Sequence, residues 1–141
     1  MFPLSDYKEV WCCDFEYTAN SGEKVIPINF CGIEYFSGKK ILLWTDELNQ
    51  CDRAPFNTGS DSLFVCFMST AELSAFHSLG WPMPENILDL YCEEKTLNNG
   101  KYRGKGAFSL LQTSRRYGVK GIESEQKSAF QGLAIRGAPF T

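Results

Sequence analysis

The sequence predicts an α/β domain with a mixed sheet, in which an antiparallel three-strand meander is followed by parallel strands and helices cover the faces. Three apolar segments joined by short turns come first, and they are expected to pair antiparallel because a parallel pair needs a long crossover. Strand-like and helix-like segments then alternate, which favours parallel strands with helices packed on the sheet. Without an internal repeat or a convincing domain boundary, residues 1–141 are predicted to form a single domain.

The meander is predicted from apolar segments separated by turn sequences. Val10–Phe15 and Val25–Phe36 are rich in aromatic and aliphatic residues, as buried strands are. Residues 18–24 are polar and contain Asn-Ser-Gly, while residues 37–39, Ser-Gly-Lys, form a hairpin-type turn into a third strand at Ile41–Trp44. These short connections place the three strands side by side in chain order.

Strands and helices alternate in the second part of the chain. After an irregular stretch at Asp46–Ser62, the continuous apolar segment Leu63–Phe67 is typical of a strand covered on both faces. A short strand is expected at Ile87–Asp89. The remaining segments are predicted to be helices: Leu90–Thr96, Ala107–Tyr117 and Glu123–Arg136.

A helix is predicted between these two strands, from Ala71 to about Leu79. Residues 69–70, Ser-Thr, can cap its first turn, and Gly80 suits the left-handed residue that ends it. Apolar residues at helical spacing are expected to form its buried stripe: Leu73, Phe76 and Leu79.

Several classes of protein are disfavoured by composition. No segment approaches the roughly 18 consecutive apolar residues of a membrane span, and residues 1–6 lack the features of a signal peptide. A cytoplasmic protein without membrane contact is therefore expected, with its six cysteines reduced. Four of these lie in strand-like segments, where a thiol acts as a small buried hydrophobe: Cys12, Cys13, Cys31 and Cys66.

Charge is divided unevenly along the chain. Residues 1–94 contain 5 Lys and Arg against 15 Asp and Glu, a net charge of −10, whereas residues 95–141 contain 9 against 2, a net charge of +7. The division has two interpretations: clustering on solvated faces, or an acidic metal-binding half joined to a basic half that meets phosphate groups.

Asp14 and Glu16 are the most informative pair of residues. Side chains two apart on a strand share a face and lie about 6–7 Å apart along the chain, so both carboxylates are expected to point to one place. Carboxylate oxygens suit hard cations such as Mg²⁺, and two metals about 3.5–4 Å apart can cleave a phosphodiester. The alternative is a solvated strand end.

The order of these motifs resembles that of the DEDD-type 3′–5′ exonucleases, a ribonuclease H-like family. Residues 10–17, VWCCDFEY, resemble its first motif, a strand ending in Asp-x-Glu. Residues 63–76, LFVCFMSTAELSAF, resemble its second, although Met68 and Glu72 stand where most members have Asn and Asp. The whole order is also similar to the N-terminal region of phage- and prophage-type DNA polymerase I proteins (family A).

The resemblance implies a two-metal site for Mg²⁺ or Mn²⁺. Asp14, Glu16 and Glu72 would be the catalytic residues and metal ligands, with the Glu72 carboxylate reaching the metals from a slightly retracted helix because it is one methylene longer than Asp. Asp89, in a segment that matches the family's next strand, is an alternative third ligand. Its simpler interpretation is an aspartate at a helix N-terminus, favoured by the helix dipole.

The third motif of that family, a Tyr or His four residues before an Asp on a late helix, has no counterpart in the 141 residues. The sequence is therefore expected to be a fragment of a longer reading frame or a truncated copy. Glu93 and Glu94 are interpreted as an exposed helix face rather than as substitutes for that motif.

The basic half contains a glycine-rich loop that is a candidate for contact with DNA. Lys101, Arg103 and Lys105 are spaced by glycines and suit sequence-independent contact with a sugar-phosphate backbone. Phe15, Tyr17 and Tyr102 are the candidates for stacking on a base of a single-stranded 3′ end, and the alternative for each is a place in the core.

The function predicted from these observations is that of a proofreading-type 3′–5′ exonuclease domain. Its substrate would be a single-stranded DNA 3′ end, and a polymerase domain would follow in the same chain if the protein is longer. The alternatives are a catalytically incomplete nucleic-acid-binding remnant of such a domain, and a structural or protein-binding domain whose acidic residues are incidental.

Overall fold

A computed structural model describes residues 3–119 of the chain. The predicted helix Glu123–Arg136 lies outside the described residues. The chain divides into two compact units, Met1–Asp89 and Leu90–Thr141, and the single-domain prediction stays a prediction.

The regular elements of the first unit follow a short 3₁₀ turn at Leu4–Asp6. They are β1 (Glu9–Thr18), β2 (Ile26–Glu34), β3 (Lys40–Trp44), α1 (Thr45–Asn49), β4 (Ser62–Cys66), α2 (Ser69–Leu79) and β5 (Ile87–Asp89). In the second unit, the described residues form α3 (Leu90–Leu97) and α4 (Leu110–Arg116).

The five strands form one mixed sheet in the order β3-β2-β1-β4-β5. β1–β2 and β2–β3 pair antiparallel, whereas β1–β4 and β4–β5 pair parallel. The predicted fold class, an α/β mixed sheet with an antiparallel meander and added parallel strands, is confirmed. The arrangement puts β1 at the centre, with the ends of β1 and β4 pointing the same way.

Helix α1 lies where an irregular stretch was predicted. Five residues are too few to show helical periodicity, but two local features stabilise the turn. The Glu47 side chain accepts a hydrogen bond from the Trp44 amide at 2.9 Å, and Leu48 is completely buried. Helix α4 also begins later than predicted, because Ser109 caps it by accepting a hydrogen bond from the Gln112 amide.

An aromatic core fills the space between the sheet and α2. Phe76 contacts the rings of four residues at centroid distances of 5.2 to 6.4 Å, and these are Phe15, Phe56, Phe64 and Trp81. The buried face of α2 differs from the predicted stripe, because Glu72 and Ala75 are buried beside Phe76, whereas Leu73 is only partly buried. A charged residue therefore occupies the core-facing side of this helix.

The opposite face of the sheet has a smaller cluster of Val10, Leu63 and Val65. As predicted, β4 is thus buried on both faces. All six cysteines remain thiols, but the expected burial of Cys12 and Cys31 is wrong, because strand alternation turns both side chains outward. Within residues 3–119, no helix has the length and apolar character needed to cross a membrane.

Candidate active site

Strand alternation on β1 presents two acidic side chains on the same face. Trp11, Cys13 and Phe15 are buried, whereas Asp14 between them is exposed and Glu16 is partly buried. Asp14 lies opposite Cys31 of β2, and Glu16 lies opposite Asn29. The shared face predicted for Asp14 and Glu16 is present, and a break in the β1–β2 register follows directly after Glu16.

Glu72 joins this pair through the edge of β1. The β1–β4 ladder ends at the pair Cys12 and Val65, so the Phe15 amide lies beyond the last residue that β4 can offer as a partner. Glu72 supplies the acceptor instead, because its Oε2 receives the Phe15 N–H at 2.8 Å. The two residues are 57 positions apart in sequence, and this bond brings the first turn of α2 to the acidic face of β1.

Burial is the largest influence on the Glu72 carboxyl, whose side chain is only 3% exposed. Desolvation, followed by the negative charge of Asp14, raises the pKa of Glu72 to about 8. The hydrogen bond from Phe15 lowers the pKa, while the charge of Glu16 and a hydrogen bond with the Asp14 side chain raise it further. At neutral pH Glu72 therefore holds a proton next to two other acidic groups.

The chemistry of these three side chains fits a hard divalent cation. Asp14, Glu16 and Glu72 offer only oxygen donors, which Mg²⁺ and Mn²⁺ prefer. Their mutual repulsion, which raises the pKa of Glu72, is the kind of unfavourable interaction that a bound cation relieves. The ligands are not assembled, however: among residues 3–119, no group of three or more His, Cys, Asp or Glu side chains is arranged to hold a metal ion.

Asp89 lies at a helix N-terminus, as its simpler interpretation states, and the helix that it bonds is α2. Its Oδ1 accepts the Met68 N–H at 3.0 Å and its Oδ2 accepts the Ser69 N–H at 2.9 Å. Asp89 thus caps α2. The cap predicted from residues 69–70 is wrong, because the N-cap position is Met68 and has no side-chain cap of its own.

The proposed stacking role of Phe15 requires a correction. Its side chain is 4% exposed and packs against Phe30, Phe76 and Trp81 in the core. The ring follows the inward side of the β1 alternation, opposite to that of Asp14. A base therefore cannot stack on Phe15 in this structure.

The basic loop lies in the second unit. Lys101, Arg103 and Lys105 are all exposed, and the intervening Gly104 has a φ of +102°, which a residue with a side chain rarely adopts. The structure thus leaves the three cations accessible to solvent, and their contact with DNA stays a prediction.

Sequence reasoning missed a buried ion pair beside this loop. Glu94 is 4% exposed, which corrects the expected exposed helix face. It accepts hydrogen bonds from Arg116 at 3.2 Å and from the Tyr117 hydroxyl at 2.8 Å. The Arg116 guanidinium also lies 3.8 Å from the Tyr102 ring centroid, which ties the loop to α4. No local pattern reveals these contacts, because Glu94 and its partners are 22 and 23 residues apart.

No protein-family model matches the chain, and no curated protein matches it significantly. Among solved structures, the chain is similar to the EXO domain of Aedes aegypti Nibbler, with a TM-score of 0.45 and 11% sequence identity. The match covers 92% of this chain and 72% of that one. A likeness of this degree carries no argument about activity.

Proposed function

We propose that this chain carries the acidic centre of a metal-dependent 3′–5′ exonuclease that hydrolyses phosphodiester bonds in DNA. One observation carries the proposal: the Glu72 carboxyl, from a distant segment, is held within electrostatic range of Asp14 and Glu16 at the central strand. A buried acid whose pKa is raised by desolvation and then by neighbouring acids is costly for folding, and such groups concentrate at functional sites.

The chain's own residues would bind and orient the reactants. Asp14 and Glu16 project from a rigid central strand, and Glu72 is fixed by the Phe15 amide. These three acids would hold Mg²⁺ or Mn²⁺, which when bound in a pair would activate water and stabilise the leaving oxygen. Release of the Glu72 proton would prepare its carboxylate as a ligand.

The proposal also specifies the DNA substrate and the protein in which this domain would act. A single-stranded 3′ end is proposed as the substrate, and proofreading beside a polymerase domain of the same chain as the role. Support comes from the resemblance of residues 10–17 and 63–76 to the first two motifs of DEDD-type exonucleases.

The decisive variant for the activity is Asp14→Ala. We expect the wild-type protein to release mononucleotides from single-stranded DNA when Mg²⁺ or Mn²⁺ is added, and the variant to fall to the rate measured without metal. Asp14 is exposed, so the variant should fold. Asp52→Ala, which removes another exposed acid, is the matched control and should keep full activity.

Two outcomes would contradict this assignment. Metal-dependent release that persists in Asp14→Ala would show that the nuclease centre is elsewhere. Stabilisation of the wild-type fold by Mn²⁺ with no release of nucleotides would favour a catalytically incomplete nucleic-acid-binding domain instead.

The basic loop allows a separate prediction about binding. Replacing Lys101, Arg103 and Lys105 together by Gln should weaken binding of single-stranded oligonucleotides of any sequence. The slope of log K against log salt should fall by about 2, since each phosphate contact with a single strand contributes about 0.7. The measurement is fluorescence anisotropy at several salt concentrations.

A charge-matched control comes from the first unit, where three exposed lysines can be replaced together: Lys24, Lys39 and Lys40. Equal loss of affinity in both triple variants would mean that only net charge matters, and would remove the loop from the proposed DNA-binding surface.

A further inference from the structure

Helix α2 begins from a strained backbone conformation. Met68, its N-cap residue, has a φ of +73° and a ψ of +75°, and among residues 3–119 no other residue except glycine has a positive φ. The left-handed region brings Cβ close to the following carbonyl oxygen, so a methionine does not adopt it without support. Strained positions of this kind persist where the surrounding structure holds them and are often found at functional sites.

Asp89 provides that support from the neighbouring strand. It is the last residue of β5 and pairs with Cys66, the last residue of β4. From there its two carboxylate oxygens receive the amides of Met68 and Ser69, at 3.0 and 2.9 Å. These bonds fix the backbone where the chain leaves β4, and they take the place of a cap from the helix's own N-cap side chain.

The first turn of α2 is therefore held from two sides. β4 lies between β5 and β1 in the sheet, so its exit is flanked by Asp89 on one side and by Phe15 on the other. Glu72, four residues after Met68, accepts the Phe15 amide. A change in the turn at Met68 would move Glu72 relative to Phe15 and Asp14, because one helical turn connects the two positions rigidly.

We propose that Asp89 is a positioning residue that holds the left-handed turn at Met68 and thereby places the Glu72 carboxyl against β1. The proposed role differs from metal ligation, because it acts through the two backbone amides that the oxygens of Asp89 accept. The functional meaning of this placement rests on the proposed function, in which Glu72 is a ligand, but the placement itself can be measured without any activity.

The test compares four proteins: wild type, Asp89→Ala, Met68→Gly and the double variant. Exchange of the Phe15 amide proton is followed by NMR and corrected for each variant's free energy of unfolding, and Mn²⁺ affinity is measured by calorimetry. Asp89→Ala should accelerate exchange at Phe15, a residue that Asp89 does not bond, and should weaken Mn²⁺ binding by about tenfold or more.

The double variant tests whether Asp89 acts by holding the left-handed turn at Met68. Glycine adopts the left-handed region without strain, so adding Met68→Gly to Asp89→Ala should restore part of the Phe15 protection and part of the Mn²⁺ affinity. Met68→Gly alone should leave both close to wild type. Asp52→Ala is the control for loss of one exposed negative charge. If Asp89→Ala does not fold, Asp89→Asn retains one acceptor and should show a smaller change in the same direction.

Other results would overturn the proposal. Unchanged Phe15 exchange in Asp89→Ala would mean that Asp89 does not position Glu72. Lost Mn²⁺ binding with full Phe15 protection, not recovered by Met68→Gly, would make Asp89 a ligand. If the wild-type protein binds no Mn²⁺, the proposed function fails, while the Phe15 exchange still decides whether Asp89 positions Glu72.

Discussion

Replacing Glu72 by glutamine is expected to stabilise the metal-free protein at alkaline pH while abolishing its response to Mn²⁺ and its nuclease activity. Glutamine has nearly the same shape, and its amide oxygen can still accept the Phe15 N–H. Its amide nitrogen can donate to Asp14, as the protonated carboxyl does. The substitution thus keeps the contacts of the neutral side chain and removes the charge that repels Asp14 and Glu16.

The direction of the pH effect follows from the raised pKa. Between about 4.5, the ordinary pKa of glutamate, and about 8, the pKa of Glu72, the folded state binds more protons than the unfolded state. The free energy of unfolding of the wild-type protein therefore falls as the pH rises through this window and is level above it. Glu72→Gln removes that decline, so its advantage above pH 8 should be on the order of 2–5 kcal/mol.

The measurement is urea denaturation in EDTA at pH 5 and pH 9, for the wild type and for Glu72→Gln. Only the difference between the two proteins is used, because other groups titrate in both. A Glu72→Gln protein that is less stable than wild type at pH 9, or one that still gains stability from Mn²⁺, would contradict the role given to this residue.

Glu34 is a matched control for Glu72, because its pKa is shifted in the opposite direction. It is also a buried glutamate, 4% exposed, but its carboxylate accepts backbone amides of Val10, Phe36 and Ser37. Desolvation acts to raise its pKa, yet these hydrogen bonds dominate and lower it to about 2. Its contribution to stability is therefore fully present above about pH 4.5 and is lost as the pH falls toward 2. Glu34→Gln should destabilise the protein at neutral pH.

The largest loss of stability is expected from Phe76→Ala. Phe76 is completely buried and contacts four aromatic rings edge to face, so truncation removes a large apolar surface and leaves a cavity that the surrounding rings cannot easily fill. The expected cost is about 3–5 kcal/mol. Because Phe76 lies one turn beyond Glu72 on the same helix, the substitution should also loosen the acidic centre.

Denaturant unfolding measures this cost, with His77→Ala as the control. His77 is exposed on the same helix, so its replacement should change stability by no more than about 0.5 kcal/mol. A cost below about 1 kcal/mol for Phe76→Ala, at an unchanged dependence on denaturant, would show that α2 is not anchored by this side chain.

Local patterns in the sequence were sufficient for the sheet. A period of two on β1 puts Asp14 and Glu16 on the face opposite Trp11, Cys13 and Phe15, and this alternation is a property of any strand. The antiparallel meander also follows from a local feature, because strands joined by short connections pair antiparallel. The predictions that did not apply this alternation were wrong, namely the burial of Cys12 and Cys31 and the stacking of Phe15.

Helix capping shows the limit of local patterns. The Ser-Thr pair at 69–70 has the composition of a cap, yet α2 is capped by Asp89, which comes from another strand 20 and 21 residues further along the chain. Which side chain accepts the first amides of α2 depends on the parallel pairing of β4 and β5, because that pairing brings Asp89 close to them. Met68 adopts a left-handed conformation at the start of α2, and nothing in its side chain favours that conformation.

The sequence by itself determined the sheet, the shared face of Asp14 and Glu16, and the distribution of acidic and basic residues along the chain. Only the tertiary structure decided the environments of Glu72, Asp89 and Glu94. The physical reason is that the direction of a side chain along a strand or helix follows from neighbours a few residues apart. The hydrogen-bond partner and the protonation state of a buried acid depend instead on segments 20 to 57 residues away.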